Sequence, residues 1–248
     1  MSLIYIFRLL SISSIWIALS ASVGPAILCE IYNLPYDPMA SALVFLVTWA
    51  VYASDKVSGS KEDLLNTPER AWLADWQIKK LAMIAYLAAI IIVVASGIWR
   101  LPAILSFGFA GYIYARRICG VRPKDLPGAK NLIVALATAI CYCGLIAAPL
   151  AAYVLVFLFI LAGTIFSDLR DICGDSLNGV RTLPVLLGSS RTLAVLAAID
   201  VPIAFLSPVI AGMIGIFILY FSKQRPNLQY DLLIDGWMIW IYMLLYAI

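Results

Sequence analysis

Nine apolar runs constrain this chain more than any other feature, because each is long enough, or nearly so, to cross a hydrocarbon layer as a helix. A bilayer core of about 30 Å takes roughly 20 helical residues. Runs of that kind fall near 11–29, 38–54, 80–97, 101–115, 131–148, 150–167, 191–207, 208–222 and 232–248. In lipid every backbone N–H and C=O has to find its partner within the segment, so these runs are expected to be helical. The expected fold class is therefore all-α: a multi-pass membrane protein of nine transmembrane helices, read as one domain over residues 1–248. Composition agrees, since 64% of the residues are hydrophobic and 12% charged, against about 25% charged in a soluble domain. The first run is followed by eight others and has no convincing small-residue cleavage site, so it reads as a retained span and not as a signal peptide.

Charge placement gives an independent check on that topology. With the amino terminus in the cytoplasm, the inner segments collect Arg8, the cluster from Lys56 to Lys80, the cluster from Arg116 to Lys130, the three arginines from Arg170 to Arg191, and Lys223 with Arg225. Of 17 Lys and Arg only Arg100 falls outside, which is the bias that orients membrane proteins. The net charge of +3 is thus a topological signal and no nucleic-acid footprint. The expected location is a cell membrane.

Residue types narrow the chemistry. Histidine is absent, which removes the commonest general base and zinc ligand. The five cysteines, Cys29, Cys119, Cys141, Cys143 and Cys173, lack metal-finger spacing and read as packing residues. Against this background the end of the sixth run stands out. Asp168, Asp171 and Asp175 recur at spacings that put them on one helical face. Two unit charges about 6 Å apart repel by roughly 3 kcal/mol at an effective dielectric of about 20. Three such carboxylates therefore favour a hard divalent cation such as Mg2+, which binds through one or two carboxylates and a substrate's phosphates.

The run from Asp168 to Gly188, with Gly179, Thr182-Leu-Pro184-Val and Gly188 after the acids, resembles the second aspartate motif of the UbiA-type intramembrane prenyltransferase superfamily. Asn66-Thr-Pro68-Glu69-Arg70 resembles the segment that follows the family's first aspartate motif, and the basic connection ending Pro127-Gly-Ala-Lys130-Asn131 extends the likeness. The first motif itself departs from the pattern. Anchored on Pro68-Glu69-Arg70, its three aspartates align with Lys56, Gly59 and Asp63, and its asparagine with Asp55. Only Asp63 stands in place, with Asp55 able to supply a carboxylate from a neighbouring turn.

The resemblance implies a bundle enclosing a central apolar cavity, with the two motifs facing each other across its cytoplasmic mouth. Asp168, Asp171, Asp175 and Asp63 would be the catalytic acids, holding Mg2+ together with Asp55. Arg70, Lys130, Arg181 and Lys56 would meet the diphosphate, while Arg116, Arg117 and Arg122 read as topological charges. Aromatic residues such as Trp16, Trp49, Tyr112, Tyr114 and Tyr142 serve either as cavity lining that stabilises an allylic cation or as packing and interfacial anchors. The implied activity is Mg2+-dependent transfer of a polyprenyl group from an isoprenyl diphosphate to a lipophilic acceptor, either aromatic or of polyprenylglycerol type. Two alternatives stay open: a member with altered chemistry, such as cyclisation or diphosphate hydrolysis, and a non-catalytic isoprenoid-binding membrane protein. A CDP-alcohol phosphotransferase is disfavoured, because its Asp-Gly-x-x-Ala-Arg run is missing.

Overall fold

The computed structural model describes residues 3–57, 76–115, 123, 126–223, 225 and 227–247. Among these residues there are helices and no strands. In chain order they are α1 (Leu3–Ile12), α2 (Ile15–Ile31), α3 (Pro38–Val57), α4 (Trp76–Ser96), α5 (Leu101–Ala115), α6 (Ala129–Leu145), α7 (Leu150–Leu177), the short α8 (Leu183–Leu187), α9 (Ser189–Leu206), α10 (Pro208–Tyr220), α11 (Asn227–Leu233) and α12 (Trp237–Ala247). Consecutive helices pack side by side: α2 with α3, α3 with α4, α5 with α6, α6 with α7, and α9 with α10, while α12 returns to pack on α2.

Four helical stretches among the described residues are long and apolar enough to cross a membrane: Pro38–Asp55, Gln77–Ser96, Leu150–Leu177 and Ser189–Leu206. A fifth is reached if the bent pair α1 and α2 counts as one span. The outward faces are apolar, with Ile91, Phe109, Phe205 and Leu219 exposed, as lipid contact requires and water would penalise.

Two of the expected runs are broken where nothing in their hydropathy marks a break. The first turns by 75° between α1 and α2. Ser14 there adopts a left-handed backbone with φ 61°, and the indole of Trp49 donates to the Ser13 carbonyl at 3.1 Å. The last run is interrupted between α11 and α12. At Gly236 a Cβ would lie 2.4 Å from the Leu232 carbonyl oxygen and 2.6 Å from the Trp16 ring, so only a glycine lets the chain turn so tightly against the indole.

The helix that matters most is α7. Its 28 residues measure about 42 Å at 1.5 Å per residue, well over the roughly 30 Å of hydrocarbon. The excess carries Asp168, Asp171 and Asp175. Opposite, at the end where α3 and α5 begin, Arg100 meets Asp37 at 2.6 Å. The one basic residue expected outside thus finds its counter-ion at the far end from the acids.

Candidate active site

The site is assembled at the end of α7 from three neighbours. The carboxylate of Asp168 is fully buried. Lys130, at the start of α6, donates to its Oδ1 at 2.6 Å, and the Asn131 amide donates to Oδ2 at 2.9 Å. Because α6 and α7 form an antiparallel pair, the first turn of one lies beside the last turns of the other, and the basic loop's end meets the acid. Bonding both oxygens to donors, one of them charged, repays the desolvation of a buried carboxylate.

Asp171 is held differently. Arg170 donates to it through Nε at 2.9 Å and Nη2 at 3.0 Å. The same guanidinium reaches α11, with Nη1 at 2.6 Å from Asp231 and at 3.5 Å from Asp235. Asp231 accepts a further bond from Ser11 of α1 at 3.1 Å, and the Trp16 indole donates to its backbone carbonyl. One buried arginine therefore joins the second-motif helix to both ends of the described chain. Asp175, one turn on, is buried too. Arg181 is exposed on the connection to α8 and forms no ion pair among the described residues. Asp55 lies near the end of α3. Asp63, Arg70 and the side chain of Lys56 fall outside the described residues.

In the sequence Arg170 reads as a topological charge, and Asp231 and Asp235 carry no assignment. Their spacing of four, at the start of the last apolar run, is the available signal. The aromatics divide between their two readings: Tyr142 lines a cavity, Trp16 and Trp49 make structural hydrogen bonds, and Tyr112 is exposed. Of the cysteines described, Cys29, Cys141 and Cys143 are buried and Cys173 is exposed, all free. Outside the spans, burial pushes the Tyr230 phenol up against the opposing pull of Arg170 and Arg225.

Beneath the acids lies a cavity of about 80 Å³, lined on α7 by Ile160, Gly163, Thr164 and Ser167. Ser167 is one helical turn from Asp171 and Thr164 two turns, so the ionic end of α7 leads directly into this space. Its apolar wall includes Ile17, Phe107, Val134, Trp237 and Met238. Trp237 stacks on Phe159 at 3.7 Å and lies so close to Gly163 that a Cβ there would sit 2.3 Å from its ring.

The chain is 30% identical to the digeranylgeranylglyceryl phosphate synthase of Halobacterium salinarum over 195 residues, 73% of this chain and 68% of that one. The chain belongs to the UbiA-type prenyltransferase superfamily. The synthase of the same name from Thermococcus sibiricus is 33% identical over 194 residues, 70% of this chain and 66% of the relative. In fold the chain is similar to a UbiA homologue from Archaeoglobus fulgidus bound to DMAPP and Mg2+, with a TM-score of 0.69 at 16% identity, covering 96% of this chain and 99% of that one. It is likewise similar to a digeranylgeranylglyceryl phosphate synthase structure, with a TM-score of 0.59 at 19% identity over 94% and 93% of the two chains. No family model matches. The membership makes the chain a membrane prenyltransferase.

Among the described residues no three His, Cys, Asp or Glu converge as a ready metal site. The donor set nevertheless suits a hard cation, since Asp171 and Asp175 project carboxylates from successive turns of α7 and each carboxylate has more lone pairs than one guanidinium or ammonium uses.

Proposed function

We propose that this prenyltransferase moves a polyprenyl group from an isoprenyl diphosphate to a polyprenylglycerol-type lipid within the membrane, in a Mg2+-dependent reaction. The observation that carries this reading is the continuity of α7. One helix presents carboxylates at its emergent end, and one to three turns deeper it lines an apolar cavity. A molecule with an anionic head and an apolar tail fits that sequence of environments. The nature of the relatives favours a glyceryl acceptor over an aromatic one.

In this reading Asp171 and Asp175 would hold Mg2+ together with Asp55 and Asp63, and the bound ion would supply charge neutralisation on the leaving diphosphate. Asp168 anchors Lys130, whose ammonium is then fixed beside the diphosphate together with Lys56, Arg70 and Arg181. A fixed cation costs no reorganisation when negative charge develops on the departing oxygen. Trp237, Phe107 and Tyr142 wall the space beneath and keep water from the allylic carbon. We further propose that residues 1–248 form one domain, that the shorter apolar helices α5, α6, α10 and α12 also cross the bilayer to give nine spans, and that the amino terminus is cytoplasmic in a cell membrane.

The test is direct. Purified protein is incubated with radiolabelled geranylgeranyl diphosphate, Mg2+ and either a geranylgeranylglyceryl phosphate or an aromatic acceptor, and products are separated. Label in a diprenylated glyceryl lipid is the expected result. Label only in an aromatic product, or only in free prenyl alcohol, overturns the acceptor assignment.

A further inference from the structure

A hydroxyl acceptor must lose a proton when its oxygen attacks the allylic carbon, and the chain has no histidine to take it. The cavity contains a carboxylate that none of the site assignments above uses. Asp235, on the turn between α11 and α12, lines it together with Tyr52, Thr48 and Ser20. Thr48 and Tyr52 are four residues apart on α3 and so share one face. The Ser20 and Thr48 hydroxyls are both more than nine-tenths buried and have no hydrogen-bond partner among the described residues. Buried hydroxyls are ordinarily bonded, so two orphans on one cavity wall indicate a polar group that the cavity receives. Tyr52 lines the cavity one helical turn before Asp55, near the end of α3. That is the junction of the ionic mouth and the apolar space.

We propose that Asp235 is the proton acceptor for the reacting hydroxyl of the acceptor lipid, and that Tyr52, Thr48 and Ser20 hold that hydroxyl by hydrogen bonds. The inference rests on the glyceryl-acceptor reading above. In the step, the allylic carbon–oxygen bond breaks with its electron pair leaving on the diphosphate. A lone pair of the acceptor oxygen forms the new ether bond, and the proton of that oxygen passes to the Asp235 carboxylate and then to water. The placement suits this. Arg170 contacts both Asp171 and Asp235, so donor and acceptor binding groups are one guanidinium's width apart. The arginine also holds the Asp235 carboxylate at the edge of the cavity.

The experiment compares two acceptors, a geranylgeranylglyceryl phosphate and its analogue with a thiol in place of the reacting hydroxyl. A thiol ionises near pH 8.5, without help from a base. In Asp235→Asn, transfer to the hydroxyl acceptor should fall about 100-fold, the lower range for a general base, while transfer to the thiol stays within about threefold of the parent. An equal loss with both acceptors, or hydroxyl transfer within about twofold of the parent, overturns the proposal. Because Asp235 also faces Arg170, Tyr52→Phe provides a second reading that leaves every ion pair intact. It should raise KM for the hydroxyl acceptor about fivefold, as loss of one hydrogen bond does, with KM for the isoprenyl diphosphate unchanged. An unchanged acceptor KM also overturns the proposal. If the parent itself transfers to neither glyceryl acceptor, the glyceryl reading fails and this inference falls with it. Parent transfer combined with indifferent variants overturns the inference alone.

Discussion

The two ends of the bundle treat charge in opposite ways. At one end Arg100 and Asp37 form a single partly exposed pair 2.6 Å apart, with Trp99 beneath the guanidinium at 4.7 Å. It is one cation to one anion, and its work is complete. At the other end the guanidinium of Arg170 is shared by Asp171, Asp231 and Asp235, and Asp168 is buried against Lys130 and Asn131. Isolated partly exposed pairs contribute little to stability. Carboxylates gathered around few cations raise the electrostatic cost, and a membrane protein keeps such a cluster where it has chemistry to do. Balanced charge marks the structural end, and crowded acid marks the working one.

The sharpest way to break this contrast is at the crowded end. Asp171→Asn and Asp175→Asn each delete charge at nearly constant volume, and each should lower Mg2+-dependent transfer about 100-fold, the upper range for lost metal ligands or their support. Protein yield after detergent extraction should be unchanged. Turnover within about twofold of the parent would remove the metal role from α7. Asp168→Asn should act on stability as well as rate, because it removes the buried charge that the Lys130 ammonium contacts at 2.6 Å. The expected loss is about 2 kcal/mol, less than for a fully buried pair because Lys130 is partly exposed, seen as a fall of roughly 5 °C in the unfolding midpoint. A variant as stable as the parent would show that the pair does not anchor α6 to α7.

Between the ends, Gly163→Ala presses a methyl group into the Trp237 ring. It should cost about 1.5 kcal/mol through overpacking and shift KM for the acceptor while leaving diphosphate binding intact. The smallest effect is expected at the balanced end. Arg100→Met should cost less than about 1 kcal/mol and leave transfer within twofold. A large activity loss there would erase the distinction between the two ends.

How much of this was legible in the sequence differs from place to place. The apolar runs and the acids on α7 were, because helical periodicity and hydropathy are local properties. The breaks at Ser14 and Gly236 were not, since each depends on an indole, Trp49 or Trp16, brought in from a distant segment. Arg170 obeyed the positive-inside rule so well that its burial among carboxylates was hidden, and Asp231 and Asp235 acquire meaning only once that arginine is placed. The metal expectation for Asp63 and the diphosphate expectations for Arg70 and Lys56 lie outside the described residues. Arg181 is exposed.

The bond between Ser11 and Asp231 joins residues 220 positions apart, and that separation sets a constraint on how the protein is made. As the chain is made from its amino terminus, α2 and α7 exist long before α11 and α12. Until then the wall formed by Trp237 and Met238 is missing and lipid must fill the space. Arg170 meanwhile lacks Asp231 and Asp235 and must wait with Asp171 as its counter-ion. The cavity is finished only when α12 has been made, so a nascent chain stalled before residue 231 would hold the acids of α7 and have no chamber to serve.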